Sequence, residues 1–136
     1  MKKRLIIIAI IVLILLVPTI KATFDKLMIP DKVLVVGHRV NDSVIDFPKE
    51  IKDKESINEF ENVFEEVEFS EEEWNKKTTY PDIITHIRHK EGIATHWFEI
   101  WFDEEEGVVV MPGSEVAWIG KLTKSQMDIL KKIINE

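Results

Sequence analysis

The 136-residue chain contains no cysteine, so disulfide bridges, a thiol nucleophile and the cysteine-borne lipid anchor of bacterial lipoproteins are all excluded. Its stability must come from a packed core. Glycine is scarce, at five residues, and neither a glycine-rich phosphate loop nor a Gly-x-Ser-x-Gly elbow is present. Ser43, Ser56, Ser70, Ser114 and Ser125 all fall at expected turns or helix starts, so no residue is assigned as catalytic and the chain is read as non-enzymatic. Bases are outnumbered, 18 Lys and Arg against 25 Asp and Glu, and no basic groove interleaved with aromatics is visible. A nucleic-acid partner is therefore excluded.

What is present begins at the amino terminus. Lys2-Lys3-Arg4 runs directly into an unbroken apolar stretch from Leu5 to Val17, the pattern of a segment that enters a membrane with its positive end retained inside. As a helix, Leu5 to Ile20 would be about 24 Å long at roughly 1.5 Å per residue, near the thickness of the hydrocarbon layer once end residues snorkel. Ile20-Lys21-Ala22, the nearby candidate for signal-peptidase cleavage, puts a bulky Ile and a charged Lys in the window that needs small residues at its first and third positions. Residues 1–22 are accordingly read as a signal anchor or a signal peptide. The corresponding locations are a single-pass membrane protein with its carboxyl-terminal domain outside the cell membrane, or a secreted one. Residues 23–31, broken by Pro30, read as a linker.

Residues 32–136 form one domain by length. Removing residues 1–22 takes away Lys2, Lys3, Arg4 and Lys21 and no acid, leaving 14 bases against 25 acids and a formal charge of −11. Such a surface is soluble, and it suits basic proteins or cationic peptides better than anionic lipid.

Along this domain, Val33-Leu34-Val35-Val36 reads as a buried strand extending towards Val40. Asn41-Asp42-Ser43 is a turn, and Val44, Ile45 and Phe47 make a brief strand that Pro48 ends. Ser56-Ile57-Asn58-Glu59 has the form of a capping box. It opens a helix over 56–67 whose stripe is Ile57, Phe60, Phe64 and Val67. Glu68 to Glu73 reads as an acidic loop leading to Trp74. Ile83–His89, Ile93–Phe102, Val108–Met111 and Val116–Ile119, separated by turn signals, predict an antiparallel meander. Thr123-Lys124-Ser125-Gln126 is a second capping box with Leu122 and Met127 as its staple, and Leu130, Ile133 and Ile134 continue that stripe. The expected fold class is α+β: two layers, a mainly antiparallel sheet with two helices on one face, preceded by the amino-terminal helix.

Alternation along 93–102 sets Ala94, His96, Phe98, Ile100 and Phe102 on a core face and Ile93, Thr95, Trp97, Glu99 and Trp101 on the other. Trp97, Glu99 and Trp101 are the candidate binding residues, because two large rings around a carboxylate can stack on a sugar ring or a partner's side chain. The competing reading is that a loop carrying Trp74 covers them. His86 and His96 face each other if a three-residue turn at 90–92 closes the hairpin, and are separated by a two-residue turn. Two ligands fall short of a closed zinc site, and Asp103-Glu104-Glu105-Glu106-Gly107 lacks the alternation of a calcium loop. No metal and no cofactor is expected.

Tyr80-Pro81-Asp82 before a strand, Trp97-Phe98-Glu99-Ile100-Trp101 in the next, and the ending from Leu122 to Ile134 together resemble the small YhfM-like domains of exported proteins from Bacillus-type bacteria. The resemblance spans 32–136 and departs in having no lipobox cysteine and in placing Ile83 where the pattern has an aromatic. It implies an exported bacterial domain and carries over no catalytic residue. The expected role is a binding or interaction module of the cell envelope, with the membrane and an envelope protein or peptide as partners. The alternative is an acidic inhibitor or immunity-like protein directed at a basic extracellular enzyme or toxin.

Overall fold

The structure is a computed structural model that describes residues 28–73, 79–113 and 116–135. The chain divides into two compact units, Met1–Pro30 and Asp31–Glu136. The expected signal anchor or signal peptide lies outside the described residues. Among those residues, no helix is long and apolar enough to cross a membrane.

The second unit runs β1 (Lys32–Asn41), β2 (Val44–Ile51), α1 (Lys54–Glu65), β3 (Phe69–Glu72), β4 (Ile83–His89), β5 (Ala94–Trp101), β6 (Glu106–Met111), β7 (Ala117–Thr123) and α2 (Lys124–Asn135). The strands form one seven-stranded sheet in the order β2-β1-β4-β5-β6-β7-β3, and every neighbouring pair is antiparallel. The fold is therefore α+β. Its expected meander is β4 to β7, and α1 links β2 at one edge of the sheet to β3 at the other.

Both helices press on the same face. Phe60, Val63 and Phe64 of α1, with Met127, Leu130 and Ile133 of α2, share one core cluster with Leu34, Val36, Ile87, Phe98, Ile100, Val109 and Leu122 of the sheet. Phe64 stacks on Phe98 with ring centroids 4.3 Å apart, and Phe60 lies 4.8 Å from Phe64. Each fully buried side chain of this size stabilises the fold by roughly 1.5–3 kcal/mol. The second capping box forms as expected: the Gln126 amide N–H donates to Thr123 Oγ1 at 3.3 Å, and the Thr123 N–H donates to Gln126 Oε1 at 2.9 Å. At the far end of α2, Lys49 of β2 donates to the Ile134 carbonyl, placing a cation where the helix dipole is negative.

Four expectations need correction. Pro48 does not end β2, because β2 is an edge strand and the register shifts between Val36 and His38, so the missing N–H breaks no ladder bond that the sheet requires. The cap of α1 is Asp53 rather than Ser56: Asp53 is extended, at φ −67° and ψ 125°, and its carboxylate accepts from the Ser56 N–H and hydroxyl, each at 2.8 Å. Those bonds hold the Asp53 carboxyl below the usual range. The segment 69–72 is strand β3 rather than loop, paired with β7. Finally, alternation in β5 slips at His96, the only described non-glycine residue with positive φ, at 53°. Thr95 pairs with Ile87 while Phe98 pairs with Thr85, so one extra residue is accommodated and Ala94 and Thr95 exchange faces relative to the expectation.

Candidate functional site

The face of the sheet opposite the helices carries the candidate residues. His86 of β4 and Trp97 of β5 lie side by side there, their rings parallel within 9° and 4.8 Å apart. Phe47 closes on both edge-on, 5.1 Å from His86 and 5.9 Å from Trp97. Phe47 belongs to β2, yet β1 lies between β2 and β4. Its ring reaches across because β1 has Gly37 at the bulge, where a Cβ would collide with the Phe47 ring and the Asp46 carbonyl. A glycine in one strand thus positions an aromatic from a second against two rings in a third and a fourth.

Polar groups flank this trio. Arg39 Nη2 donates to Glu99 Oε1 at 2.9 Å, with both side chains about four-fifths buried (22% and 18% exposed). The Arg39 guanidinium also reaches the Asp42 carbonyl at 3.4 Å, and the Tyr80 hydroxyl donates to the Asp42 carboxylate at 2.7 Å. That hydrogen bond to a carboxylate raises the Tyr80 phenol above its ordinary range. Burial, seconded by the nearby Arg88 charge, lowers the His86 imidazole. His86 Nδ1 is buried and has no hydrogen-bond partner among the described residues.

The three sequence-derived residues have different fates. Trp97 is 39% exposed. Glu99 is committed to Arg39. Trp101 is only 7% exposed, clusters with Val110 and Ala117, and donates its indole N–H to the Thr79 carbonyl at 3.1 Å. Its ring is packed within the fold, so the two tryptophans do not share one open platform. Trp74, the residue of the competing covering loop, lies outside the described residues. Sequence reasoning missed Phe47, Arg39 and Gly37 as contributors. Gly37 inside a strand ahead of Phe47-Pro48 was the available signal, since an isolated strand glycine marks a bulge or a close backbone approach.

The histidines separate. The hairpin does close through a three-residue turn at 90–92, with Gly92 at φ 86° and the His89 N–H bonded to the Ile93 carbonyl. The slip at His96 then sends His86 towards Trp97, while His96 turns to the helix-bearing face. There its Nδ1 lies 3.1 Å from Thr95 Oγ1, the same hydroxyl that His89 Nε2 meets at 2.8 Å. Among the described residues no group of three potential metal ligands converges.

Both His86 and His96 are depressed by burial. A group whose folded pKa lies below its unfolded value of about 6.5 binds its proton more readily in the unfolded chain, so it contributes stability above that pH and withdraws it as pH falls. The urea midpoint is expected to drop between pH 7.5 and pH 5. His96→Asn, which tolerates the positive φ, should flatten part of that slope; equal slopes in the wild type and the variant would exclude His96 as a source.

The site and its frame define a two-layer α+β domain with an aromatic trio and an ion pair on the sheet face away from its helices. No family model, curated protein or solved structure matches the chain.

Proposed function

We propose that this is a small binding module of the bacterial cell envelope, held at the cytoplasmic membrane by residues 1–22 with the 32–136 domain outside, and that its ligand docks on the face bearing Trp97 and Glu99. The observation that carries the binding reading is Trp97 itself. More than a third of its surface meets solvent (39%), although its ring is already fixed by His86 and Phe47. A large ring locked in place loses little entropy on binding, and the Arg39–Glu99 pair beside it supplies donors and acceptors for the rim of a stacked sugar or side chain. The location is supported by Lys2-Lys3-Arg4 ahead of the Leu5–Val17 run, and by the resemblance to the exported YhfM-like domains.

The test is co-sedimentation of the full-length protein with purified peptidoglycan. Trp97→Ala should weaken retention about tenfold, the loss of roughly one stacking contact, while circular dichroism shows the domain still folded at the assay temperature. Undiminished retention of Trp97→Ala would remove the reading. Trp101→Ala, by contrast, should lower stability by about 3–5 kcal/mol and the thermal midpoint sharply. An alkaline phosphatase fused at the carboxyl terminus should be active, and an inactive fusion would place the domain in the cytoplasm.

The second reading, an acidic inhibitor or immunity-like protein, is favoured by Glu68, Glu71, Glu72 and Glu73, which stand exposed in one run. It requires a complex with a basic partner that weakens steeply with salt.

A further inference from the structure

We infer that the outer edge of β3 is a separate docking surface, shaped to receive an extended lysine- and arginine-rich segment of a partner protein as an additional strand. An open sheet has two edges, here β2 and β3, and they are not equivalent. β2 contains Pro48, which has no N–H to give, and its pairing with β1 shifts register between Val36 and His38 and again between Arg39 and Asn41. Proline and bulges are the devices that break the backbone ladder an added strand would use, whereas short length and charge, which β3 does have, only restrict which strand can pair. β3 has neither proline nor bulge. Its register against β7 is unbroken from Phe69 opposite Gly120 to Glu72 opposite Ala117, and among the described residues no strand pairs with its outer side. In an antiparallel ladder alternate residues turn both backbone groups the same way, so about half of the β3 residues present an N–H and a C=O outward.

The side chains select the occupant. Phe69 packs on the core under the helices, so alternation puts Glu71 on that face and Ser70 with Glu72 on the other; the Ser70 hydroxyl donates to Glu72 Oε1 at 2.8 Å, as same-face neighbours should. A strand added here meets one exposed carboxylate on each face. Among the described residues, Lys121 feels the Glu72 charge but is paired with Glu106 at 2.9 Å. Trp118, directly opposite Glu71 and 42% exposed, offers its ring to a long cationic side chain reaching inward. A second copy of this chain is the wrong partner, because pairing β3 with itself would set carboxylates against carboxylates. The complementary segment is extended and has adjacent basic residues, one for each face. This surface is independent of the Trp97 patch, since β5 lies three strands from β3, about 14 Å away.

The probe is a synthetic hexapeptide, acetyl-Lys-Val-Arg-Lys-Val-Thr-amide, titrated onto the full-length protein in nanodiscs. Its binding should weaken steeply with added salt, and it should slow hydrogen exchange at the backbone amides of 69–72. A copy of the peptide N-methylated at alternate residues should bind about tenfold more weakly, since the strand pairing is lost while the charge is kept. Glu71→Lys combined with Glu72→Lys should abolish binding, and Trp97→Ala should leave it intact. Equal binding of the N-methylated peptide, or unchanged exchange at 69–72 on saturation, would overturn the inference and leave the acidic edge as a guard against aggregation only. The peptide comparison uses wild-type protein, so it decides the matter even if the charge-reversed variant fails to fold.

Discussion

Phe60→Ala is expected to cost the domain a large part of its stability. Phe60 is fully buried (0% exposed) and sits at the start of the ring series that runs through Phe64 and Phe98 to Phe69. Removing a core phenylalanine costs about 3–5 kcal/mol, the sum of lost transfer energy and the cavity left behind. A domain of this size has a total stability of about 5–15 kcal/mol, so this one change takes a large part of it. The site cannot collapse readily, because α1 is fixed at its start by the Asp53 cap and α2 lies against it, with Gln126 reaching the Val63 carbonyl. Urea unfolding followed by circular dichroism measures the loss, with Ile93→Ala as the control: Ile93 is 63% exposed and should shift stability by no more than about 0.5 kcal/mol. A Phe60→Ala protein as stable as that control would show that the helices do not bury the sheet face assigned to them.

The parts of this fold that could be read from residues alone are those in which one local rule acts without a rival. Thr123-Lys124-Ser125-Gln126 follows a strand and precedes an apolar stripe, and it caps α2 as expected. At the other helix two signatures overlap, Asp53-x-x-Ser56 and Ser56-x-x-Glu59, and each is a sound cap on its own. Asp53 prevails: β2 runs to Ile51, and Asp53 stands extended just before α1 with its carboxylate accepting the Ser56 N–H, so Ser56 is already inside the helix. β3 was illegible for a different reason. Phe69-Ser70-Glu71-Glu72 is too short and too acidic to announce a strand, and it becomes one only because β7 offers it an edge to pair with.

The binding face shows the same division. Alternation identified Trp97, Glu99 and Trp101 as sharing a face, which is a property of one strand. It said nothing of what the neighbouring strands lay over that face, and this is what buries Trp101 and leaves Trp97 open. The ion pair from Arg39 joins residues sixty positions apart, and no spacing rule reaches that far. His96 gave no warning either, because a bulge is a tertiary compromise between a tight turn at Gly92 and the core requirement that Phe98 and Ile100 face the helices.

Gly37→Ala is the second change with a large expected effect, and it links the frame to the site. Gly37 does not adopt the left-handed conformation that other residues avoid, so the obstacle is space alone. A methyl group there would occupy the position of the Asp46 carbonyl oxygen and of the Phe47 ring edge. A ring can rotate away, but a backbone carbonyl moves only with its strand. The β1–β2 pairing must therefore open at the bulge, with a loss of about 1–3 kcal/mol typical of overpacking, and Phe47 must leave His86 and Trp97. A double-mutant cycle separates the two obstacles. If Phe47→Ala in the Gly37→Ala background restores only part of the lost stability, the carbonyl is the dominant clash and the bulge is built around the glycine; full restoration would assign the whole effect to the ring. Either variant should shift the indole N–H resonance of Trp97 by removing its edge-on neighbour, and a resonance that stays in place in Gly37→Ala would show that the aromatic trio does not depend on the bulge.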